Sequence, residues 1–359
     1  MWIGGILQGD FGRSIEYDLP VLDVIGEVFV FAVILNASVI AFIYLVAFPI
    51  GVYSATHQYS WGDHGLTFVG FIGLVAKIVK KIPMVFEIRD LWPESAIDTG
   101  IVKNKQIISL SYWLEKKIYD NSHFINVLTP AFREKLIYRK NIDKNKILYF
   151  PNGANFEIIN NLNDFDPVKF RMNLGWTNKF VIIYVGAHGV ANHLIQLIDA
   201  AKLLKDTIAH FVLIGDGMQK KYLINISKKD KISNVEFIDP VPKNKIMEYI
   251  MAADVGTSVL KKNDVFKTVY SNKTFDYMLC KKPILMAIDG VSRDLVQESK
   301  SGFFVKPESP NDFSSSVKKM LKNKQMTIQM GQNGYDYVVN NFDRKKISKG
   351  FIESLKTNF

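Results

Sequence analysis

From Val28 to Thr56 the chain runs 29 residues without a charged side chain, through FVFAVILNASVIAFIYLVAFPIGVY. A helix needs about 20 apolar residues to cross a bilayer core of about 30 Å, so this run can span with tilt to spare. A buried core helix of that length seldom lacks a polar face. A signal peptide is excluded by the length and by the acidic rather than basic head. The expectation is one transmembrane span at about 28–56. A second run, Leu66 to Ala76, is too short to cross alone. Lys77, Lys80 and Lys81 follow, which places residues 77 onward at the cytoplasmic face of the plasma membrane, with the amino terminus outside.

Charge divides the chain at the same place. Residues 1–76 hold one basic residue, Arg13, and six acids, for a net charge of −5, while residues 77–359 carry +15. Asparagine follows the break, since Asn36 is the only one before Asn104. The two segments therefore read as having different origins. Over the whole 359 residues, 48% are hydrophobic and 22% charged, which excludes global disorder. A single cysteine, Cys280, excludes a disulfide framework. The net charge of +10 calls for anionic partners. The lysines are scattered rather than clustered with aromatics, which disfavours nucleic acid.

Beyond Ile82 short apolar runs alternate with amphipathic stretches, the pattern of parallel α/β units. PMVFEIR (83–89), HFINVLT (123–129) and KILYF (146–150) read as strands, with helices over 106–119 and 131–139. After Asp166 come six more: KFVIIYVG (179–186), HFVLIG (210–215), VEFID (235–239), VGTSVL (255–260), PILMAI (283–288) and GFFVK (302–306). Helices are expected near 192–205, 218–229, 243–252, 272–281, 291–298 and 310–323. Six such repeats with right-handed crossovers make a doubly wound domain. The first series has about three strands and looks cut short at its front.

Gly186-Ala187-His188-Gly189 joins a strand to the helix beginning near Asn192, and Gly215-Asp216-Gly217 follows the next strand. Glycines there let backbone amides and a helix start approach a phosphate. A plain tight turn explains either one alone; two on one sheet edge favour an anion. His188 is either a donor to a phosphate oxygen or an exposed turn residue, whereas His193 and His210 read as structural. The histidines lack metal-ligand spacing. Arg89, Asp90 and Glu94 end the strand beginning at Pro83, where ligands bind in such sheets. An Arg89–Asp90 ion pair with Trp92 beneath it is the equal alternative. Asn272 and Lys273 open a helix and would present donors to an anion, and Asp276 would accept from ribose hydroxyls. A capped surface helix with a solvated Lys273 accounts for the same residues.

Two resemblances follow. WIGGILQGDFGRSI, the apolar run, GVYSATHQYSWGDHGLTF and VGFIG, over about residues 2–73, resemble the early part of a dipeptide/oligopeptide ABC-transporter permease. One helix cannot line a translocation path, so membrane attachment is all this piece can contribute. From about 74 to 357, FEIRDLWPES, VLTPAF, YFPNGAN, IIYVGAHGVANHL, LIGDG, NVEFIDPVPK, AADVG, SNKTFDYM and KKPIL resemble, in order, a family-4 glycosyltransferase of GT-B fold. The branch is the O-antigen and capsule type related to N-acetylfucosamine transferases.

That resemblance implies two Rossmann-like domains, with the nucleotide-sugar held mainly by the second. The domains expected are a membrane segment 1–75, a truncated acceptor domain 76–165, a nucleotide-sugar domain 166–342 and a terminal helix 343–359. It implies retaining transfer from a UDP-sugar to a polyprenyl-diphosphate-linked glycan at an anionic membrane surface, with no cofactor and no metal. Gly186, Ala187, His188 and Gly189, with Gly215 and Gly217, would face the diphosphate; Asn272 and Lys273 the sugar-phosphate; Asp276 the ribose. Arg89, Asp90 and Glu94 would form the catalytic and acceptor side, and Asn152 and Gly153 the passage between domains. The family's Arg/Lys pair after the first turn is absent here, with Ala187, His188, Asn192 and His193 in its place. The earlier acid of its Glu-x7-Glu motif falls at Thr268. Family members also carry first strands and a glycine-rich loop where this chain has permease-like sequence. That predicts a fusion, a frame error or an assembly artefact, exposed sheet edges and impaired transfer. The alternatives are a catalytically dead chain that binds UDP, or a permease fragment.

Overall fold

The computed structural model describes residues 11–13, 20–22, 26, 33, 65–98, 102–160, 162 and 164–358. Its contacts divide the chain into Met1–Ile72 and Gly73–Phe359. In the first unit a bridge joins Arg13 and Pro20, and the Val21 amide donates to the Gly12 carbonyl at 3.0 Å. The span expected at 28–56 lies, Val33 apart, outside the described residues. Among those described, no helix is long and apolar enough to cross a membrane. The apolar run at 66–76 belongs to a helix, α1 (Gly65–Lys80).

The second unit begins with a small parallel sheet. β1 (Val85–Ile88), α2 (Glu94–Asp98), α3 (Lys105–Asn121), β2 (Phe124–Val127), α4 (Pro130–Lys140) and β3 (Ile147–Tyr149) follow in turn. The strands pair in parallel in the order β1-β2-β3. Helix starts are written in the sequence. Asn104 Oδ1 accepts from the Gln106 amide at 2.8 Å, and Thr129 caps α4 ahead of Pro130. Ile88, Ile118, Ile125, Phe132, Leu136 and Ile147 close the core beneath. β1 is only half-buried, and its Glu87 is exposed.

After the short helices α5 (Phe156–Asn160) and α6 (Pro167–Asn173), the chain builds the larger sheet. Its elements are β4 (Phe180–Val185), α7 (Ile195–Lys202), β5 (Ala209–Ile214), α8 (Lys220–Lys229), β6 (Val235–Ile238), α9 (Lys243–Ala252), β7 (Val255–Val259), α10 (Lys273–Leu279), β8 (Ile284–Ala287), α11 (Val291–Glu298) and β9 (Gly302–Phe304). The strand order β6-β5-β4-β7-β8-β9 is parallel throughout and reverses between β4 and β7. A ligand crevice forms outside the carboxyl ends of the strands at such a reversal. The apolar runs are continuous rather than alternating because both faces are covered: every residue of β5, β7 and β8 is buried. Two cores result, one around Ile183, Met247, Phe275 and Met286, the other around Ile182, Leu197, Phe211 and Leu285.

Three helices finish the chain: α12 (Pro310–Lys322), α13 (Lys324–Asn341) and α14 (Arg344–Asn358). The chain passes between the two sheets at 150–155 and returns at 342–344. There the Ala154 amide donates to Phe342 O at 2.8 Å, and the Arg344 amide to Ala154 O at 3.1 Å. A Cβ on Gly153 would lie 2.6 Å from Phe342 O, which leaves room for glycine only. The returning chain lays α14 against the first sheet, with the Phe351 ring 5.2 Å from that of Phe150. A second tie joins the sheets where Thr129 Oγ1 donates to Thr268 O at 2.7 Å.

Candidate functional site

The two glycine turns sit at the carboxyl ends of neighbouring strands, β4 and β5, and interlock. The His188 amide donates to Asp216 O at 2.8 Å, and the Gln219 amide to His188 O at 2.9 Å. Gly186, Gly215 and Gly217 have φ of 144°, 143° and 154°, a region that costs a side-chain-bearing residue steeply. Space forbids one too: a Cβ on Gly215 would lie 2.0 Å from Gly186 O, and one on Gly217 2.7 Å from His188 C. The glycines thus serve a close backbone approach. Among the described residues the amides of Ala187 and Gly189 donate to no acceptor. Such amides at a strand end are ready donors to an anion.

The helix after the first turn starts later than the sequence suggests. Residues 190–192 form a single 3-10 turn, His193 adopts a left-handed conformation, and α7 begins only at Ile195. His188 is not an exposed turn residue: it is fully buried, between the rings of Tyr184 and Phe237. Burial, with Lys220 nearby, holds its imidazole down at about 4, so it is neutral at pH 7. Neither ring nitrogen has a hydrogen-bond partner among the described residues. An unmet buried polar group costs about 1–3 kcal/mol, which a bound anion or water would relieve through the ring N–H. His210 is structural, with its Nε2 3.0 Å from Glu236, which also accepts from Trp176 Nε1.

Lys273 enters from α10 on the opposite side of β4. Its ammonium lies over the Tyr184 ring, 4.1 Å from the centroid, and a Cβ on Gly186 would be 3.1 Å from Nζ. No hydrogen bond or ion pair engages that ammonium among the described residues, and burial lowers it to about 7. It is not a solvated surface lysine. The other nearby amine, Lys220, is committed to Gly215 O and Asp239 at 2.8 and 2.7 Å. Gly186, His188, Gly215, Gly217 and Lys273 therefore converge on one point.

The remaining candidates stand around it. Asn272 is exposed at the start of α10, and its Oδ1 accepts from Asn152 Nδ2 at 3.2 Å. Asp276 is half-buried one turn along; burial lifts its carboxyl to about 6, opposed by Lys243. Arg89 pairs with Glu87 at 2.8 Å, so the partner seen is not the Asp90 that spacing suggested. Glu94 is held inside the first sheet's own helices, 2.6 Å from Lys140, which also bonds Glu115 at 2.6 Å. Burial raises the Glu115 carboxyl. Lys140 is raised despite burial because it donates to both acids. Thr268 uses its hydroxyl locally, donating to Val265 O at 2.7 Å. Sequence reasoning singled out neither Tyr184 nor the bond from Asn192 Nδ2 to the Tyr184 hydroxyl at 2.8 Å. An aromatic at a strand end reads as core until the opposite helix is placed.

Residues 169–337, the larger sheet and its helices, match the family described as glycosyl transferases group 1. This stretch is similar to the glycosyl transferases group 1 family. The chain is 22% identical over 258 residues to an uncharacterized glycosyltransferase of Methanocaldococcus jannaschii, covering 69% of this chain and 62% of that protein. It is 20% identical over 289 residues to the putative colanic acid biosynthesis glycosyl transferase WcaI of Escherichia coli, covering 76% of this chain and 67% of that protein. The fold is shared with the Anabaena HepE crystal structure in complex with UDP, at a TM-score of 0.68 and 17% identity, covering 81% of this chain and 77% of that one. It is therefore the GT-B arrangement of two parallel α/β sheets. A separate stretch of 74 residues, 20% of this chain, is 38% identical to the oligopeptide transport permease AppB of Bacillus subtilis, covering 23% of that protein.

Proposed function

We propose that this chain binds a UDP-sugar at the Gly186–Gly189 and Gly215–Gly217 turns and belongs to the family-4, N-acetylfucosamine-transferase-like branch. The observation that carries this reading is the Lys273 ammonium, unpaired among the described residues, beside two interlocked glycine turns, where a diphosphate would meet both a charge and amides without acceptors there. UDP is the nucleotide in complex with HepE, and the similar WcaI is a putative glycosyl transferase of colanic acid biosynthesis. The reaction is retaining transfer, with the leaving phosphate taking the acceptor proton, so no protein base is required. Asp276 would bind the ribose, and Arg89, Asp90 and Glu94 would serve the acceptor side.

A lipid-linked acceptor at the cytoplasmic membrane face fits the surface of the first sheet's helices. Ile78 and Val79 on α1 are 65% and 69% exposed, and Leu110 and Trp113 on α3 are exposed as well. Lys77, Lys80 and Lys81 flank the former, a composition suited to anionic lipid. A second reading, a chain that binds UDP without turning it over, is favoured by the three-stranded first sheet among the described residues. Calorimetric titration with UDP tests the binding claim; no heat at millimolar ligand would remove it. Turnover of labelled UDP-sugar on a polyprenyl-diphosphate glycan separates the two readings.

A further inference from the structure

Lys273 is an amine without a hydrogen-bonded partner among the described residues, and what seats it lies under it. Tyr184, the penultimate residue of β4, is fully buried and presents its ring face to Nζ at 4.1 Å. The far end of that ring is fixed by a closed triangle. The Tyr184 hydroxyl donates to Ala187 O at 2.9 Å, and Asn192 Nδ2 reaches both the hydroxyl at 2.8 Å and Ala187 O at 2.9 Å. The same triangle ties down the carbonyl inside the Gly186–Gly189 turn. Asn192 is itself buried, in the 3-10 turn that delays α7.

We infer that Tyr184 and Asn192 are positioning residues for the anion pocket: Tyr184 seats the Lys273 ammonium by cation–π attraction, and Asn192 locks that seat to the glycine turn. This rests on the donor-site reading above and deepens it. The turn and the 3-10 turn after it bring no Lys or Arg of their own. The charge comes instead from α10, across the sheet, and needs a platform to hold it in a desolvated place. An aromatic face does this without neutralising the charge, whereas a carboxylate would compete with the incoming diphosphate. The ring lowers the cost of keeping an ammonium there and leaves the N–H groups turned away from it for the ligand.

The test is a double-mutant cycle on the full chain, with UDP and inorganic pyrophosphate as probes. Tyr184→Leu is expected to weaken both by about tenfold. Tyr184→Phe, which keeps the ring, should cost about threefold, and Asn192→Ala should cost a similar amount through loosening of the turn. On a Lys273→Ala background Tyr184→Leu should cost only the about threefold owed to its lost hydroxyl. Equal losses by Tyr184→Leu with and without Lys273 would overturn the seat. If pyrophosphate binds and shows the coupling while UDP binds no better, the seat stands and the nucleotide reading fails. If UDP binds and the mutations add, the reading stands and the seat fails. A ligand-free measurement covers the case where neither probe binds. The Lys273 ε-CH2 resonance of 13C-lysine-labelled protein should be ring-shifted in the wild type and Tyr184→Phe and unshifted in Tyr184→Leu. No shift in the wild type would also overturn the proposal.

Discussion

The two sheets of the second unit are built on the same plan and to different depths. In the larger, β5 is buried from end to end, and β4 and β7 lie between paired neighbours. In the smaller, β1 is half-buried, β3 has one buried residue in three, and the core is a single cluster. A strand buried on both faces contributes apolar area twice, at about 25 cal/mol per Å2. The larger sheet is therefore stable through its own packing. The smaller leans on a buried charge cluster at Lys140, on α14 and on the Thr129–Thr268 tie. The larger half is thus the more firmly packed, and the smaller half is the part expected to give.

That contrast can be broken at several points. The largest effect is expected from Gly215→Val, which drives a side chain into the Gly186 carbonyl. It should cost more than about 3 kcal/mol and abolish UDP binding, read by thermal unfolding and calorimetry. Truncating Ile183 to Ala should cost about 3–4 kcal/mol, against about 2–3 for Ile125 in the smaller sheet, whose thinner surroundings collapse more easily. Hydrogen exchange should rank their strands the same way, and faster exchange in β4 than in β2 would reverse the comparison.

Two charge effects sharpen the picture within the larger sheet. Asp276 has a folded pKa of about 6, above its unfolded value, so burying its carboxylate costs nothing below about pH 4 and its full amount above pH 6. Asp276→Asn should stabilise the chain by about 2 kcal/mol at pH 7 and weaken UDP binding, while leaving stability at pH 3.5 nearly unchanged. For Lys273 the sign runs the other way. Its folded pKa near 7 lies below the unfolded value, so the cost of its charge is complete below pH 7 and fades toward pH 10.5. A bound diphosphate restores the charge, so UDP binding should take up a proton between about pH 7 and 9 and weaken across that window. Titration in buffers of different ionisation enthalpy measures the uptake. The smallest change is expected from Arg89→Ala, which breaks an exposed pair with Glu87 and should shift stability by about 0.5 kcal/mol or less. A fall in turnover without a fall in UDP affinity would place Arg89 on the acceptor side.

Strands were legible wherever burial on both faces made an unbroken apolar run, as at FVIIYV and AHFVLI, and helices wherever a cap and a periodic face coincided, as at Pro310. α13 was not, because Gly331 and Gly334 interrupt its pattern. They are there for packing: a Cβ on Gly331 would lie 2.0 Å from Lys281 O. The glycine turns of the site were legible as local motifs. The Tyr184–Lys273 contact was not, because only the reversal of strand order brings α10 across to the end of β4. His188 looked like a turn residue because its burial comes from Phe237 on a strand two further along the chain.

The chain's double passage at Ala154 and Phe342 has a mechanical result. α14 follows the larger sheet in sequence, yet its Phe351 rests on Phe150 beside β3. The tail is thus a strap from the larger half back to the smaller one. Whatever is joined to the carboxyl terminus, a tag or a dye, will sit beside the smaller sheet rather than the larger.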